Sequence, residues 1–383
     1  MTAGVMDATS TALRTDVIDD AVRFANMHEE WDELLRSSAS DCLFLTWEWL
    51  HTWWKHLAAE CRLSILAIRR GDLLIALAPC VSCDPQPLRL RPLPMLEFLG
   101  TGVVGSDYLD CLVREGCEAE AVQGLAEGFV TQHTRIDWRQ LAQGSQGAAT
   151  ARALQAQGWT AREAVTHVCP YIPLRGRTWE SYLKDLGAEH RYAFHRKWKR
   201  LQRDFGVRFE EVRTAEQCGE AMELVFDLHN MRWRGRGGSD AFHTSDLRNF
   251  HREFSFLALK RGWLRLYLLW LDGKPAACLY GFLYRRKFYF YQSGFDGCFE
   301  NHSPGMLTMG LAIQQAIQEG AEEYDLLHGT ESYKKHWSRD TRELTRLQLF
   351  PPGGCGWLCR RSTALEQASR KLARRMLLGG KAA

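Results

Sequence analysis

The sequence predicts a mixed α/β (α+β) protein built twice over, two domains in tandem, each a mixed sheet flanked by helices. Three observations carry this. The chain has 383 residues, room for roughly two domains of ordinary size. A hairpin, a strand, a helix and a strand follow one another in the first half, and the same succession returns in the second. The closing strands of the two halves also compare, IDWRQLAQGS from Ile136 beside YDLLHGTES from Tyr324.

Composition narrows the class. With 45% hydrophobic and 25% charged residues the chain has the balance of a soluble protein with substantial cores. A net charge of +3 is too small to mark a nucleic-acid binder, so any basic patch is local. No apolar run reaches about 18 residues, and the N-terminus is polar without an apolar signal core, which places the protein in the cytoplasm. The 12 cysteines are scattered. The Cys80-x-x-Cys83 pair has no second pair at zinc-site spacing, so the cysteines read as reduced, buried thiols and no metal is expected. Fourteen tryptophans point to large cores or an aromatic-lined cleft.

In order, residues 1–27 form a partly ordered lead-in, and 28–186 an N-terminal domain. That domain starts with helices at 29–36 and 47–57, the second placing Trp47, Leu50, Trp54 and Leu57 on one face. A hairpin follows, LSILAIRR and LLIALAPC around Gly71-Asp72, then strand-like MLEFLG and SDYLDCLV, a helix at 118–132, and the strand from Arg135, which ends in a polar glycine-containing loop. The C-terminal domain, 187–352, begins with a helix whose apolar stripe is Phe194, Trp198, Leu201 and Phe205, with Arg191, Arg196, Lys197, Lys199, Arg200 and Arg203 on the other faces. A helix from Ala215 then leads to a cationic Arg/Gly loop carrying His229, Arg232 and Trp233. The second hairpin turns at Asp272-Gly273, a strand KFYFYQSGF follows, and a helix runs from Ser303 to Gly320. Residues 353–383 form a basic, amphipathic terminal helix, which suits weak contact with an anionic membrane surface.

The chemistry gathers in GAEEYDLLHGTESYKKHW, residues 320–337. Gly320 closes a helix, a short apolar strand follows over 324–327, and a loop then presents acid, imidazole, phenol and ammonium groups at the strand's C-terminal end, where open α/β sheets place ligands. Asp325, His328 and Glu331 are candidates to remove a proton. Asp325 serves either as a base with a raised pKa or as a hydrogen-bonding anchor, and His328 either as a base near neutrality or as a loop residue. The helix start Ser303-Pro304-Gly305, with Met306 in its first turn, offers unpaired N–H groups and a positive dipole end to a pyrophosphate.

This stretch resembles the C-terminal signature of the CelD/BioF2-like GNAT acyltransferases, relatives of the Fem peptidoglycan-bridge aminoacyltransferases. The carrying residues are a glycine, Tyr-Asp-hydrophobic, a further glycine, then Tyr-Lys and a tryptophan, preceded by NHSPGMLTMGLAIQQAIQEG from Asn301. The resemblance implies a tandem GNAT-like fold and an acetyl-CoA- or acyl-CoA-dependent N-acyltransferase. Its acceptor is a small or glycan-linked amine, such as an amino sugar of cell-envelope or exported polysaccharide biosynthesis. Tyr333 and Lys334 match the family's Tyr-Lys pair, Lys334 as a charge stabiliser and Tyr333 as proton donor to a leaving thiolate or as packing. Lys335 serves as the solvated neighbour. Arg191 and Arg196 match family arginines suited to phosphate, His229, Arg232 and Trp233 reach toward the same cleft, and Trp337 either stacks on substrate or anchors the core. Where the usual GNAT loop reads Gln/Arg-x-x-Gly-x-Gly/Ala, this chain has Asn301 to Gly305. An aminoacyl-tRNA donor, as in the Fem relatives, and a non-catalytic role in a polysaccharide assembly are the alternatives. The N-terminal domain reads as a degenerate partner, since its loop AQGSQGAATA carries no lysine, tyrosine or acid.

Overall fold

Gly71, at φ +61°, turns the chain between the two arms that organise the N-terminal half. In this computed structural model, which describes residues 12–83, 93–234, 238–329 and 331–379, the half opens with β1 (Leu13–Ile18), α1 (Ala21–Asn26), α2 (His28–Arg36) and α3 (Trp47–Leu57). One arm is β2 (Cys61–Leu63) and β3 (Ile65–Arg70), the other β4 (Leu73–Ala78) and β5 (Cys80–Cys83). Then come β6 (Met95–Phe98), β7 (Leu112–Val113), α4 (Glu118–Thr131), β8 (Arg135–Ala142), α5 (Gln146–Ala156) and β9 (Thr160–Pro173). Helices α6 (Trp179–Leu186) and α7 (Ala188–Asp204) lead to the second half, which has β10 (Val207–Glu211), α8 (Ala215–Trp233), α9 (Ser245–Lys260), β11 (Leu264–Leu271), β12 (Lys274–Tyr284) and β13 (Lys287–Phe295). It ends with α10 (Pro304–Gln318), β14 (Glu323–Asp325), α11 (Ser332–Trp337), β15 (Asp340–Phe350) and α12 (Gly354–Gly379).

Among the described residues eleven strands make one sheet, ordered β10-β11-β12-β13-β14-β9-β15-β8-β6-β5-β2. Its centre is an exchange. β9 of the first half pairs antiparallel with β14 of the second, β15 of the second pairs with β8 of the first, and β9 and β15 lie side by side. The two parallel contacts, β13 with β14 and β6 with β8, take matching places on either side of that exchange. A second sheet, β1-β3-β4-β7, forms because the arms are interrupted at Ser64 and Pro79, so that β3 and β4 pair with β1 and β7 while β2 and β5 stay with the large sheet.

Alternation along the second hairpin places its apolar residues on two faces. Leu268, Cys278 and Tyr280 join the core shared with α8, α9 and the N-terminal half. Leu269, Ala277 and Leu279 join a second core with α6, α7 and α10.

Several expectations need correction. Within the lead-in, where no regular element was expected, residues 13–18 form β1, which pairs with β3 along its full length. In SDYLDCLV only Leu112–Val113 is strand; residues 99–111 form an irregular loop in which Gly100, Gly102, Gly105 and Tyr108 all have positive φ. The supposed polar loop after β8 is helix α5, started by the Ser145 side chain accepting the Ala148 N–H. The strand at 324–327 stops at Asp325, and the residues beyond Glu331 are helical. On α3 the buried apolar residues are Trp49, Leu50 and Trp53, while Trp47, Trp54 and Leu57 are half-buried. Cys61 and Cys83, cross-strand neighbours on β2 and β5, form a disulfide rather than remaining reduced. The basic residues from Arg370 onward lie outside the described side chains. No helix among the described residues is long and apolar enough to cross a membrane.

Candidate active site between the two halves

β13 and β14 pair only from Lys287 and Glu323 to Tyr289 and Asp325. Beyond that point β13 runs on to Phe295, while the chain after Asp325 is drawn the other way. Leu326 and Gly329 donate their N–H groups to Pro170 and Val168 of β9, at 2.9 and 3.1 Å. Leu327 takes φ +56°, a strained value for a leucine, and the Asp325 carboxylate holds the turn by accepting the Leu327 N–H at 2.8 Å. The parting strands leave a wedge.

Two cavities fill it. The inner one, about 230 Å³, lies between Phe290, Tyr291 and Gln292 on one side and Leu327, His328 and Gly329 on the other. Val104 and Gly105 of the N-terminal half close it, and the Tyr291 hydroxyl donates to the Val104 carbonyl. The outer cavity, about 490 Å³, is bounded by Ser293, Phe295, Arg232, Glu300, the α10 start Ser303 to Met306, and His336 and Trp337 of α11. Tyr333 lines both.

His328 is the reactive group best placed by this arrangement. Asp107, fully buried on the loop 99–111 of the other half, accepts the His328 N–H at 2.7 Å and bonds its Nδ1 at 2.8 Å. The Cys169 thiol donates to the same carboxylate at 3.7 Å. A carboxylate on Nδ1 fixes the proton there, which leaves Nε2 as the acceptor. Among the described residues Nε2 has no partner, and the ring borders the inner cavity. Burial works against the charged ring, but the Asp107 charge outweighs it and raises the His328 pKa above 6.5. His167 of β9 packs edge-on at 4.8 Å.

Lys334 is placed differently from the sequence expectation, and Asp325 lies apart from the cavities. Asp325 is fully buried and lines neither cavity; it accepts the Tyr108 hydroxyl at 2.6 Å and the Leu327 N–H. Burial lifts its carboxyl to about 6, against the pull of Arg342 and Lys287. That geometry is an anchor's. Lys334 is not a loop lysine but a helical residue, 4% exposed. Its ammonium meets the His328 carbonyl at 2.6 Å, the Leu327 carbonyl at 3.4 Å and Glu331 at 3.2 Å. Those contacts engage its three N–H groups and clamp the His328 turn, and Lys334 also lines the inner cavity. Gly329 beside it takes φ +135°, a conformation that favours glycine, and a Cβ there would displace the ends of Glu331 and Lys334. Lys335 is exposed. Burial pushes the Tyr333 phenol to about 12, with the Arg232 guanidinium opposing the shift from 4.8 Å over the ring.

At the outer end, Ser303 is in the left-handed region at φ 54° and does not cap α10 with its side chain. The N–H groups of Gly305 and Met306, in the first turn, have no intrahelical partner and adjoin the outer cavity. Arg232 donates to Ser293 Oγ at 2.6 Å and among the described residues has no carboxylate partner. Trp337 is a packing anchor whose carbonyl accepts the Tyr182 hydroxyl at 2.6 Å.

The remaining candidates do not converge on the wedge. His229 and Trp233 lie on α8, not in a loop, and His229 is buried between the Ser293 carbonyl and Ser239; burial lowers its pKa to about 4. Arg191 and Arg196 are exposed on α7. His28, Asp32 and Glu48 present ligand atoms to one another, but Arg261 lies among them, donating to Asp32 at 2.8 Å. Sequence reasoning missed Asp107, Tyr108, His167 and Lys197, the last of which donates to Ser303 Oγ at 3.0 Å. The one signal for the first two was an acid and a phenol directly after three closely spaced glycines in GTGVVGSDY.

Residues 188–335 match the acetyltransferase (GNAT) domain family. The match takes in most of the second half. The matched residues hold α10, His328 and Lys334, whereas Asp107, Tyr108 and β15 lie outside them. No curated protein sequence matches the chain. Among solved structures, FemX shares 13% identity with a TM-score of 0.59, covering 84% of this chain and 95% of its own. A conserved protein of unknown function from Bacteroides thetaiotaomicron shares 12% with a TM-score of 0.56, covering 88% and 99%. The C-terminal domain of a putative lysylphosphatidylglycerol synthetase from Agrobacterium fabrum shares 13% with a TM-score of 0.52, covering 90% and 96%. At such identities the likeness is one of fold, and it extends over both halves, beyond the matched residues.

Proposed function

We propose that this protein is an N-acyltransferase that takes an acyl group from a coenzyme A thioester and passes it to a primary amine in the wedge between β13 and β14. The observation that carries the reading is a single one. His328, oriented by Asp107 of the other half, presents an unpartnered Nε2 to a cavity whose neighbour ends on the open N-terminus of α10.

The residues fit a thioester donor laid along the wedge. The N–H groups of Gly305 and Met306 suit a pyrophosphate, with the dipole of the fifteen-residue α10 behind them. Arg232 is positioned to offset further negative charge. At the inner end, His328 Nε2 accepts the proton that the amine loses as its nitrogen bonds to the carbonyl carbon. When the carbon–sulfur bond breaks, the proton on the imidazolium is the one the leaving thiolate needs. Asp107 stabilises that imidazolium between the two transfers. Tyr333, with its phenol near 12, keeps its proton and donates a hydrogen bond to developing charge rather than acting as an acid.

The CelD/BioF2-like signature supports an amino sugar or related envelope amine as the acceptor, and the two-domain division at about residue 187 belongs to the same reading. The exposed cations along α7 favour a second reading, aminoacyl transfer from tRNA, since a phosphate backbone would neutralise them. The deciding experiment is thiol release from acetyl-CoA with a panel of amino sugars, alongside native mass spectrometry for bound coenzyme A. Turnover that His328→Gln abolishes supports the proposal. Retention of tRNA with no coenzyme A bound and no thiol released refutes it.

A further inference from the structure

The start of α10 has a second cationic surround that the transfer chemistry leaves unused. Helix α7 runs along the rim of the outer cavity. Its His190 lies tilted against His336 with ring centres 4.2 Å apart, and Phe194 packs on the bare Cα of Gly310, where a Cβ would come within 2.2 Å of the ring. Lys197 then donates to Ser303 Oγ at 3.0 Å and reaches Met306 Sδ at 3.5 Å. Just past that contact lies a separate hollow of about 400 Å³, lined by Arg196, Lys197, Arg200, Asn301 and His302. Asn301 and His302 lead directly into Ser303, so the hollow and the outer cavity share one lip.

The hollow's charge is poorly offset. Among the described residues Arg196 has no carboxylate partner, and its guanidinium rests over Tyr192 at 5.4 Å. Arg200 meets Asp204 at 3.5 Å, and that carboxylate is shared with Arg203 at 2.8 Å and His302 at 3.4 Å. One acid thus serves three basic groups, while Arg196 and Lys197 have none.

We propose that this hollow binds a further phosphate of the donor, the one on the 3′ oxygen of coenzyme A's ribose, through Arg196 and Arg200. The inference rests on the acyl-CoA reading above. A pyrophosphate at Gly305 and Met306 consumes the free N–H groups of α10, so a second phosphate on the same nucleotide needs cations of its own. The Arg196 and Arg200 side chains, one turn apart on α7, supply guanidinium donors suited to a phosphate. Lys197, tethered to Ser303, stands between the two anion positions and stabilises both.

The test compares coenzyme A with dephospho-coenzyme A, which differ only in that phosphate, by calorimetric titration of the full chain and of an Arg196→Ala/Arg200→Ala variant. Both arginines are exposed, and circular dichroism checks that the variant is folded. The wild type should bind coenzyme A roughly tenfold more tightly, about the strength of one charge-assisted hydrogen bond, and added salt should shrink the difference. The variant should bind the two ligands alike, with its affinity for the dephospho form unchanged. A wild type that binds both equally overturns the proposal and leaves the acyl-CoA reading standing. A variant that keeps the preference also overturns it. Failure of the wild type to bind either ligand removes the donor reading and this inference with it.

Discussion

Replacing Asp107 by Asn tests the proposed chemistry at the point where the halves meet. The side chains are nearly the same size, so what changes is charge and hydrogen bonding. The Asp107 carboxylate accepts two N–H groups of one residue, at 2.7 and 2.8 Å. An amide has one oxygen to offer. If that oxygen keeps the His328 backbone N–H, the amide NH₂ faces Nδ1, moves the ring proton to Nε2 and blocks the base. Losing a hydrogen bond to a charged group costs about 1.5–3 kcal/mol, and the tautomer change adds to it. A total of about 2–4 kcal/mol corresponds to a fall in kcat of roughly 30- to 900-fold. Asp107 is also the group that raises the His328 pKa against burial. Without it burial prevails, so the acid limb of kcat/KM, which rises as His328 loses its proton, moves to lower pH. The same shift affects stability. A histidine whose folded pKa is raised stabilises the protein below its unfolded pKa, and that contribution is lost as pH rises through the folded value. The melting temperatures of wild type and variant should therefore differ more in acid than in alkali. Thiol release across the neutral pH range is the assay. A variant with wild-type turnover and an unmoved acid limb would refute the roles given to both residues.

Lys334→Ala should lower stability by about 2 kcal/mol, less than a fully buried pair because Glu331 is half-exposed, whereas Lys335→Ala should leave the denaturation midpoint unchanged. Asp325→Asn should remain folded and flatten the pH dependence of stability. Its carboxyl, raised from 3.8 to about 6, makes the native state bind more protons, so stability falls as pH climbs through that window; a variant with the wild-type slope there would contradict the assignment. For α12, Trp357, Leu358 and Leu365 are exposed at 52%, 42% and 72%, with Arg361 over the Trp357 ring. Weak co-sedimentation with anionic vesicles, lost in Trp357→Ala and absent with neutral vesicles, is expected; equal binding to both vesicle types would argue against it.

Much of the second half was legible because its signals are local. Ser303-Pro304-Gly305 announces α10, Gly320 ends it with φ +77°, and period-two apolar patterning marks the strands buried on both faces. β15 was not legible, because DTRELTRLQLF mixes charges through a central strand. Those charges are satisfied by residues distant in sequence, as Arg342 is by Glu323 at 2.5 Å. The exchange of β9 and β15 has no local signature either, since either strand could have closed its own half with the same alternation. His328 was identified as a candidate, but the residue that orients it comes from 221 positions earlier, beyond the reach of any motif.

The exchange also bears on how the two halves differ. Asp137 on β8 stands where Asp325 stands on β14, in the strand parallel to its half's β6 or β13. There the resemblance of function ends. Arg346 of β15 donates to both Asp137 oxygens at 2.6 Å, and Arg139 adds a bond at 2.8 Å. The start of α4, which corresponds to α10, carries its own acids, Glu118 and Glu120, and Glu118 accepts the Gly116 N–H. An anion arriving there would meet negative charge. The C-terminal half lends this arginine as the N-terminal half lends Asp107, one closing an acid and the other orienting a base. Arg346→Ala should therefore leave thiol release intact while destabilising the fold by about 2–3 kcal/mol, below the full cost of an unpaired buried charge because Arg139 remains. Burial opposes the Asp137 charge, but the arginines prevail and hold its pKa below 3.8. Its stabilisation is present above the unfolded pKa and is lost as pH falls through the folded value, so the variant's deficit should shrink in acid. A variant that loses turnover in proportion to nothing but Arg346, with its melting temperature unchanged, would mean that the first half carries chemistry of its own.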